Sequence, residues 1–130
     1  IYLCGVSGYR SYERQEELYQ KKRREQPKEI GDHVHWIAPP GASEHQTGLA
    51  LDVSCQAVDY QLDERFGETR EGRWLKRCAP LYGFILRYPK GKEHITGYGW
   101  EPWHIRYVTR SLALYLTLTG LTLEEYYEQK

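Results

Sequence analysis

A chain of 130 residues with 18 basic and 18 acidic side chains fits one domain of ordinary size, and it has no net charge to draw nucleic acid or an acidic membrane surface. Hydrophobic residues make up 40% of it, and 12 tyrosines and 4 tryptophans carry much of that share, which suits a folded domain with a wet cleft. Its longest apolar run is far too short to span a bilayer, and three cysteines without CxxC spacing build neither a disulfide framework nor a thiolate zinc site.

Cys4, Cys55 and Cys78 are therefore expected as three half-buried thiols. The chain has no methionine and opens on "IYLCGVSGYRS" as if already inside a strand. An export or anchoring segment, where one exists, is expected outside these residues.

Read in chain order, the elements are mixed. "IYLCGV" predicts a short strand ending at the Ser7-Gly8 turn signal. Ser11 is placed to cap a helix through "YERQEELYQKKRRE", whose apolar stripe is thin (Tyr12, Leu18, Tyr19), so it should lie on the surface with one edge inward. Its "KKRRE" run reads as a solvated helix face rather than a nucleic-acid patch. Residues 26 to 44 hold Pro27, Gly31, Pro39, Pro40 and Gly41 without periodicity, and connections that long are often functional.

"GLALDVS" alternates, with Leu49, Leu51 and Val53 on one face and Ala50, Asp52 and Ser54 on the other. Residues 56 to 70 read as a polar loop. "EGRWLKRCAPLYGF" predicts a helix with a proline near its end, stopped at Gly83. "FILRYP" and "EPWHIRYV" predict strands, and "RSLALYLTLTG" a helix. Thr122 and Glu125 form a capping box that starts a last helical turn.

The chemistry lies in "GASEHQTGLALDVSC". Asp52 sits in a buried strand beside the small residues Ala50 and Ser54, and a carboxylate there needs a cation, a salt bridge or hydrogen-bond donors. His45 lies just before the strand, beyond the flexible Gly48, and can reach the same point. Imidazole and carboxylate are zinc ligand types. On these two residues alone, an Asp paired with an arginine and an ordinary surface histidine is an equal reading.

A third ligand and a base come from "YGWEPWHIRYV". Glu101 and His104 would face opposite ways on a regular strand, but Pro102 belongs at a strand start or bulge. A strand beginning near Trp103 would turn His104 inward and leave Glu101 hanging from the preceding turn over the same pocket. A catalytic zinc takes three protein ligands, keeps one position for water, and needs a carboxylate to take that water's proton. His45, Asp52 and His104 would be the ligands and Glu101 the base.

Together "SGYRSYERQEELY", "SEHQTGLALDVS" and "HITGYGWEPWHIRYV" resemble the VanY-type zinc D-alanyl-D-alanine carboxypeptidases, which are grouped with the VanX dipeptidases, the L,D-carboxypeptidases and the wider lysostaphin and hedgehog-like fold. The resemblance runs from the start of the chain to about residue 127. It implies a single α+β domain spanning 1–130, with a small, mostly antiparallel sheet, a zinc cleft and helices packed on one side.

It also implies one catalytic Zn2+ on His45, Asp52 and His104, with Glu101 as catalytic base. Arg10 would steady the scissile carbonyl and its oxyanion, a role that suits a fixed guanidinium where a strand meets a helix. Ser43 and Gln15 would help hold the terminal D-residue. The implied reaction removes the C-terminal D-alanine from a peptidoglycan stem peptide without an acyl-enzyme. The implied setting is extracytoplasmic, with the domain a monomer that makes no contact of its own with membrane or nucleic acid.

Competing readings stand beside these. His33 and His35 in "GDHVHW" form an H-x-H pair that would complete a metal site with His45, leaving His104 structural; otherwise they are exposed or part of a lid. His94 has no ligand-like partner and is left as a contact behind the ligands or to substrate. L,D-cleavage of tetrapeptides shares all these motifs. A non-catalytic wall-binding module would be expected to lack the base or the arginine, and both are present. A dipeptidase would need an acid for the substrate's ammonium, and Glu44, read as extended chain, alternates away from His45.

Overall fold

The computed structural model describes residues 1–25 and 38–129. His33 and His35, and with them the H-x-H reading, lie outside the described residues.

Strand β1 (Cys4–Ser7) leads through Gly8 and Tyr9 into helix α1 (Tyr12–Glu25), and the Ser11 hydroxyl accepts the Arg14 amide at 3.1 Å as the capping reading expects. After it come β2 (Ala50–Ser54), α2 (Arg70–Cys78), β3 (Phe84–Leu86), the single turn α3 (Glu93–Thr96), β4 (His104–Tyr107), α4 (Arg110–Thr119) and α5 (Leu123–Glu128). One-turn 3-10 helices occupy Glu44–Thr47, Gln56–Val58, Glu64–Glu68 and Ala79–Tyr82.

The four strands form one antiparallel sheet in the order β1-β2-β4-β3. Its register explains the position of the site. Ser7 lies opposite Asp52, and Asp52 lies opposite His104, so three polar residues share one level of the sheet. A bulge between Gly5 and Ser7 re-aims the end of β1.

The other face of β2 and β4 carries Val53 and Ile105 into a core with Cys55, Val58, Phe66, Leu75 and Ala79. A second cluster (Ile85, Ala113, Leu116, Leu123) packs α4 and α5 against β3. The capping box forms as expected: the Thr122 hydroxyl accepts from the Glu125 amide, and the Glu125 carboxylate accepts from the Thr122 amide. Gly83, at φ 91°, ends the turn after α2, and a side chain there would meet the Tyr107 ring at 2.6 Å.

Some expectations are corrected. Residues 56–70 are not merely loop: two 3-10 turns sit there, and Phe66 is fully buried. Helix α1 turns Gln15 inward rather than Tyr12, which is half exposed. The strand read in "FILRYP" covers only Phe84–Leu86. Only Cys78 is half-buried, since Cys4 is exposed and Cys55 is buried. Among the described residues no helix is long and apolar enough to cross a membrane.

Candidate metal centre

Ser43 starts the 3-10 turn Glu44–Thr47, its hydroxyl accepting the His45 amide at 3.3 Å, and Gly48 closes the turn at φ 76°. This one-turn cap swings His45 back over the end of β2. There its Nδ1–H donates to the Gly8 carbonyl at 2.8 Å, and its Nε2 lies 2.9 Å from Asp52 Oδ2. That backbone bond assigns the proton to Nδ1 and leaves Nε2 for the centre of the site.

From β4, His104 turns its Nδ1 to 2.9 Å from Asp52 Oδ1, and the two imidazoles meet edge to face with centroids 5.0 Å apart. His45, Asp52 and His104 are all buried, and one ligand atom from each lies within 4.8 Å of the others.

Glu101 hangs from the turn before β4, its amide bonded to the Tyr88 carbonyl. Its carboxylate stops 3.8 Å from His104 Nδ1. Burial raises this carboxyl to about 7; the charges of Asp52 and Glu44 add to the rise, and His104 opposes it. A carboxyl poised near neutrality at the mouth of a metal-type cluster suits a proton carrier.

Burial would also raise Asp52, but hydrogen bonds from His104 and His45 outweigh it and hold the carboxyl below its ordinary range. For His104, burial works against the charged ring, yet its bonds to Asp52 and Glu44 win and lift it to about 9.

Arg10 reaches the same cavity. Its Nη1 donates to Gln15 Oε1 and its Nη2 to Ser7 Oγ, both at 2.7 Å, and burial lowers its pKa from the usual value. Gln15, fully buried, also donates from its amide nitrogen to the Ala38 carbonyl. Both ends of that amide are thus engaged in holding the arginine and the chain beyond α1. The cavity measures about 670 Å³ and is walled by aromatic side chains, among them Tyr88, Trp100 and Trp103. His45, Asp52, His104, Glu101, Arg10, Ser43 and Gln15 all line it; His94, on α3, does not.

The family described as VanY: D-alanyl-D-alanine carboxypeptidase matches residues 1–110. This chain belongs to the VanY family. A D-alanyl-D-alanine carboxypeptidase of Enterococcus faecalis (strain ATCC 700802 / V583) is 38% identical over 133 residues, covering 97% of this chain and 47% of that protein.

Among solved structures of the same fold, the LdcB LD-carboxypeptidase shares 47% identity at a TM-score of 0.88, covering 97% of this chain and 58% of its own. A mutant of the vancomycin resistance D,D-pentapeptidase VanY in complex with Zn(II) shares 37% at 0.80, covering 98% and 72%. The chain spans about half the length of the curated relatives it matches.

One residue expected to alternate away from His45 instead lines the cavity of this VanY-family site. Glu44, with 7% of its side chain exposed, takes His104 Nε2 at 3.0 Å and is itself held by Arg87 and Arg106. Burial alone would raise its carboxyl, but His104 and Arg87 hold it at about 2. Alternation along an extended chain points Glu44 away from the site. The 3-10 turn replaces that alternation with a rotation of about 120° per residue, so neighbours can both face inward.

Proposed function

We propose that this chain is the peptidase domain of a zinc-dependent D,D-carboxypeptidase that removes the C-terminal D-alanine from peptidoglycan stem peptides at the cell envelope. The observation that carries the reading is the convergence of His45 Nε2, Asp52 and His104 Nδ1 on one point of the cavity, with Glu101 and Arg10 at its edge.

Two imidazole nitrogens and a carboxylate oxygen, each imidazole anchored through its other nitrogen, fit a catalytic zinc. Zinc held there would supply Lewis-acid polarisation of a carbonyl and a water of lowered pKa.

The chain's own groups do the rest. Glu101 takes a proton from the attacking water as its oxygen bonds to the carbonyl carbon of the penultimate residue. As the C–N bond breaks, Glu101 returns that proton to the nitrogen of the leaving D-alanine. Arg10, fixed by Ser7 and Gln15, meets the negative charge that develops on the carbonyl oxygen. The Ser43 hydroxyl accepts a backbone amide and keeps its proton to offer the substrate.

Cleavage of an L,D bond in a tetrapeptide is the second reading, favoured by the higher identity and TM-score to the LdcB LD-carboxypeptidase. The two differ in which side of the penultimate carbon has room, a steric difference of about 1–3 kcal/mol. Mass spectrometry of products from pentapeptide and tetrapeptide muropeptides tests both. Loss of one alanine mass from the pentapeptide at the higher kcat/KM supports D,D cleavage. Preference for the tetrapeptide makes it an L,D enzyme, and no loss from either removes the carboxypeptidase reading.

A further inference from the structure

Glu44 lines the cavity beside the proposed ligands, and it is the most heavily bonded carboxylate near the site. Its Oε1 lies 3.0 Å from His104 Nε2, while its Oε2 accepts from Arg87 Nε at 2.6 Å and Arg106 Nη1 at 3.0 Å. Arg87 then closes a two-bond fork on Glu124 of α5, at 2.6 and 2.9 Å. The chain of contacts runs His104, Glu44, Arg87, Glu124, from the sheet to the C-terminal helix.

A carboxylate flanked by two guanidinium groups stays ionised and only accepts hydrogen bonds. The proton facing it must therefore be on His104 Nε2, so the proton a metal displaces is the one on Nδ1, now shared with Asp52, and its loss turns the Nδ1 lone pair to the ligand cluster. Free imidazole divides its proton between the two nitrogens; here one partner selects the tautomer and the arginines select the partner's position.

We propose that Glu44 is a positioning residue for the metal: clamped by Arg87 and Arg106, it fixes His104 in the tautomer and orientation that present Nδ1 to zinc. This rests on the zinc reading above. Carboxylates bonded to a ligating histidine raise its basicity and hold its ring, and their loss typically costs about 10–100-fold in metal affinity.

The test is zinc titration against a competing chromophoric chelator, with proton-detected NMR of the histidine ring in the zinc-loaded protein. Wild type should bind zinc and show a His104 Nε2–H resonance slowed in exchange with water. Glu44→Ala should bind zinc about 10–100-fold more weakly and lose that resonance. Glu44→Gln keeps the shape but has a single acceptor oxygen, so its NH2 group must face either His104 Nε2–H or the two guanidinium groups. It should also weaken zinc binding and weaken or lose the resonance.

Wild-type zinc affinity in Glu44→Ala, with the resonance intact, overturns the inference. If Glu44→Ala does not fold, Glu44→Gln decides alone, and unchanged affinity there overturns it. A wild-type protein that takes up no zinc overturns the metal reading itself, and the inference with it.

Discussion

Glu101 occupies a position where one atom can serve two proton transfers. The proposal predicts that Glu101→Gln retains zinc but loses about 10²–10⁴-fold in kcat, the usual share of a general base. Metal analysis and steady-state kinetics on the same preparation check it. The base works only when ionised, so activity should fall as pH drops through its pKa. That carboxyl stands near 7 without metal, and a bound cation favours the carboxylate and pulls it lower. The acid limb of kcat/KM should therefore lie between the ordinary 4.5 and about 7. An identical limb in the residual activity of Glu101→Gln would assign it to another group. At this scale the convergence of these side chains on one cavity was largely readable. Pro102 before His104 marks a strand start, and a strand start separates Glu101 from His104 in the needed way. Glu44 was not readable, because a single cap at Ser43 decides between extended chain and a 3-10 turn, and polar residues carry no period to tell them apart.

Among the elements, β2 was legible from its alternation because each of its faces meets a different environment, the site on one side and the core on the other. The 3-10 helix Glu64–Glu68 was not. It buries one large side chain, Phe66, and one apolar residue in a polar stretch makes no pattern. Its structure depends on contacts from far along the chain, above all at Gly67. A Cβ on Gly67 would lie 2.4 Å from the Trp100 ring and 3.0 Å from Pro102 Cβ. Trp100 lines the cavity, and Lys90 sits over its ring, 4.7 Å from the centroid. Gly67→Ala is therefore expected to cost about 1–3 kcal/mol through overpacking and to displace the indole from the cavity wall. Thermal unfolding and tryptophan emission report the two effects separately. Unchanged Tm with shifted emission would show that the ring gives way freely.

For the molecule as a whole, stability without metal should depend on pH through four groups of the site, with Asp52, held low, acting in the same direction as Glu44. Glu44 is depressed to about 2 from 4.5, so its contribution is present above 4.5 and is lost as pH falls through 2. His104 is raised to about 9 from 6.5, so its contribution is full below 6.5 and is lost as pH rises through 9. Glu101, raised to about 7, acts in the same direction as His104 between 4.5 and 7. The metal-stripped protein should thus be most stable near pH 4.5 and lose Tm steadily toward 9. A Tm that rises over that range would contradict the assignment. Zinc competes with the proton on the ligands, so the gain in Tm on adding zinc should grow over the same range. The fork between Arg87 and Glu124 bears on where this protein can be cut. The family match stops at residue 110, but Glu124 and Leu123 lie beyond it, one bonded through Arg87 to the residue behind His104 and the other in the second core cluster. A recombinant fragment ending at 110 would keep every proposed ligand and still lack the far anchor of the clamp and much of the wall behind β3. Such a fragment should unfold or hold zinc weakly where 1–130 holds it well, so the smallest unit that works is longer than the stretch by which its family is recognised.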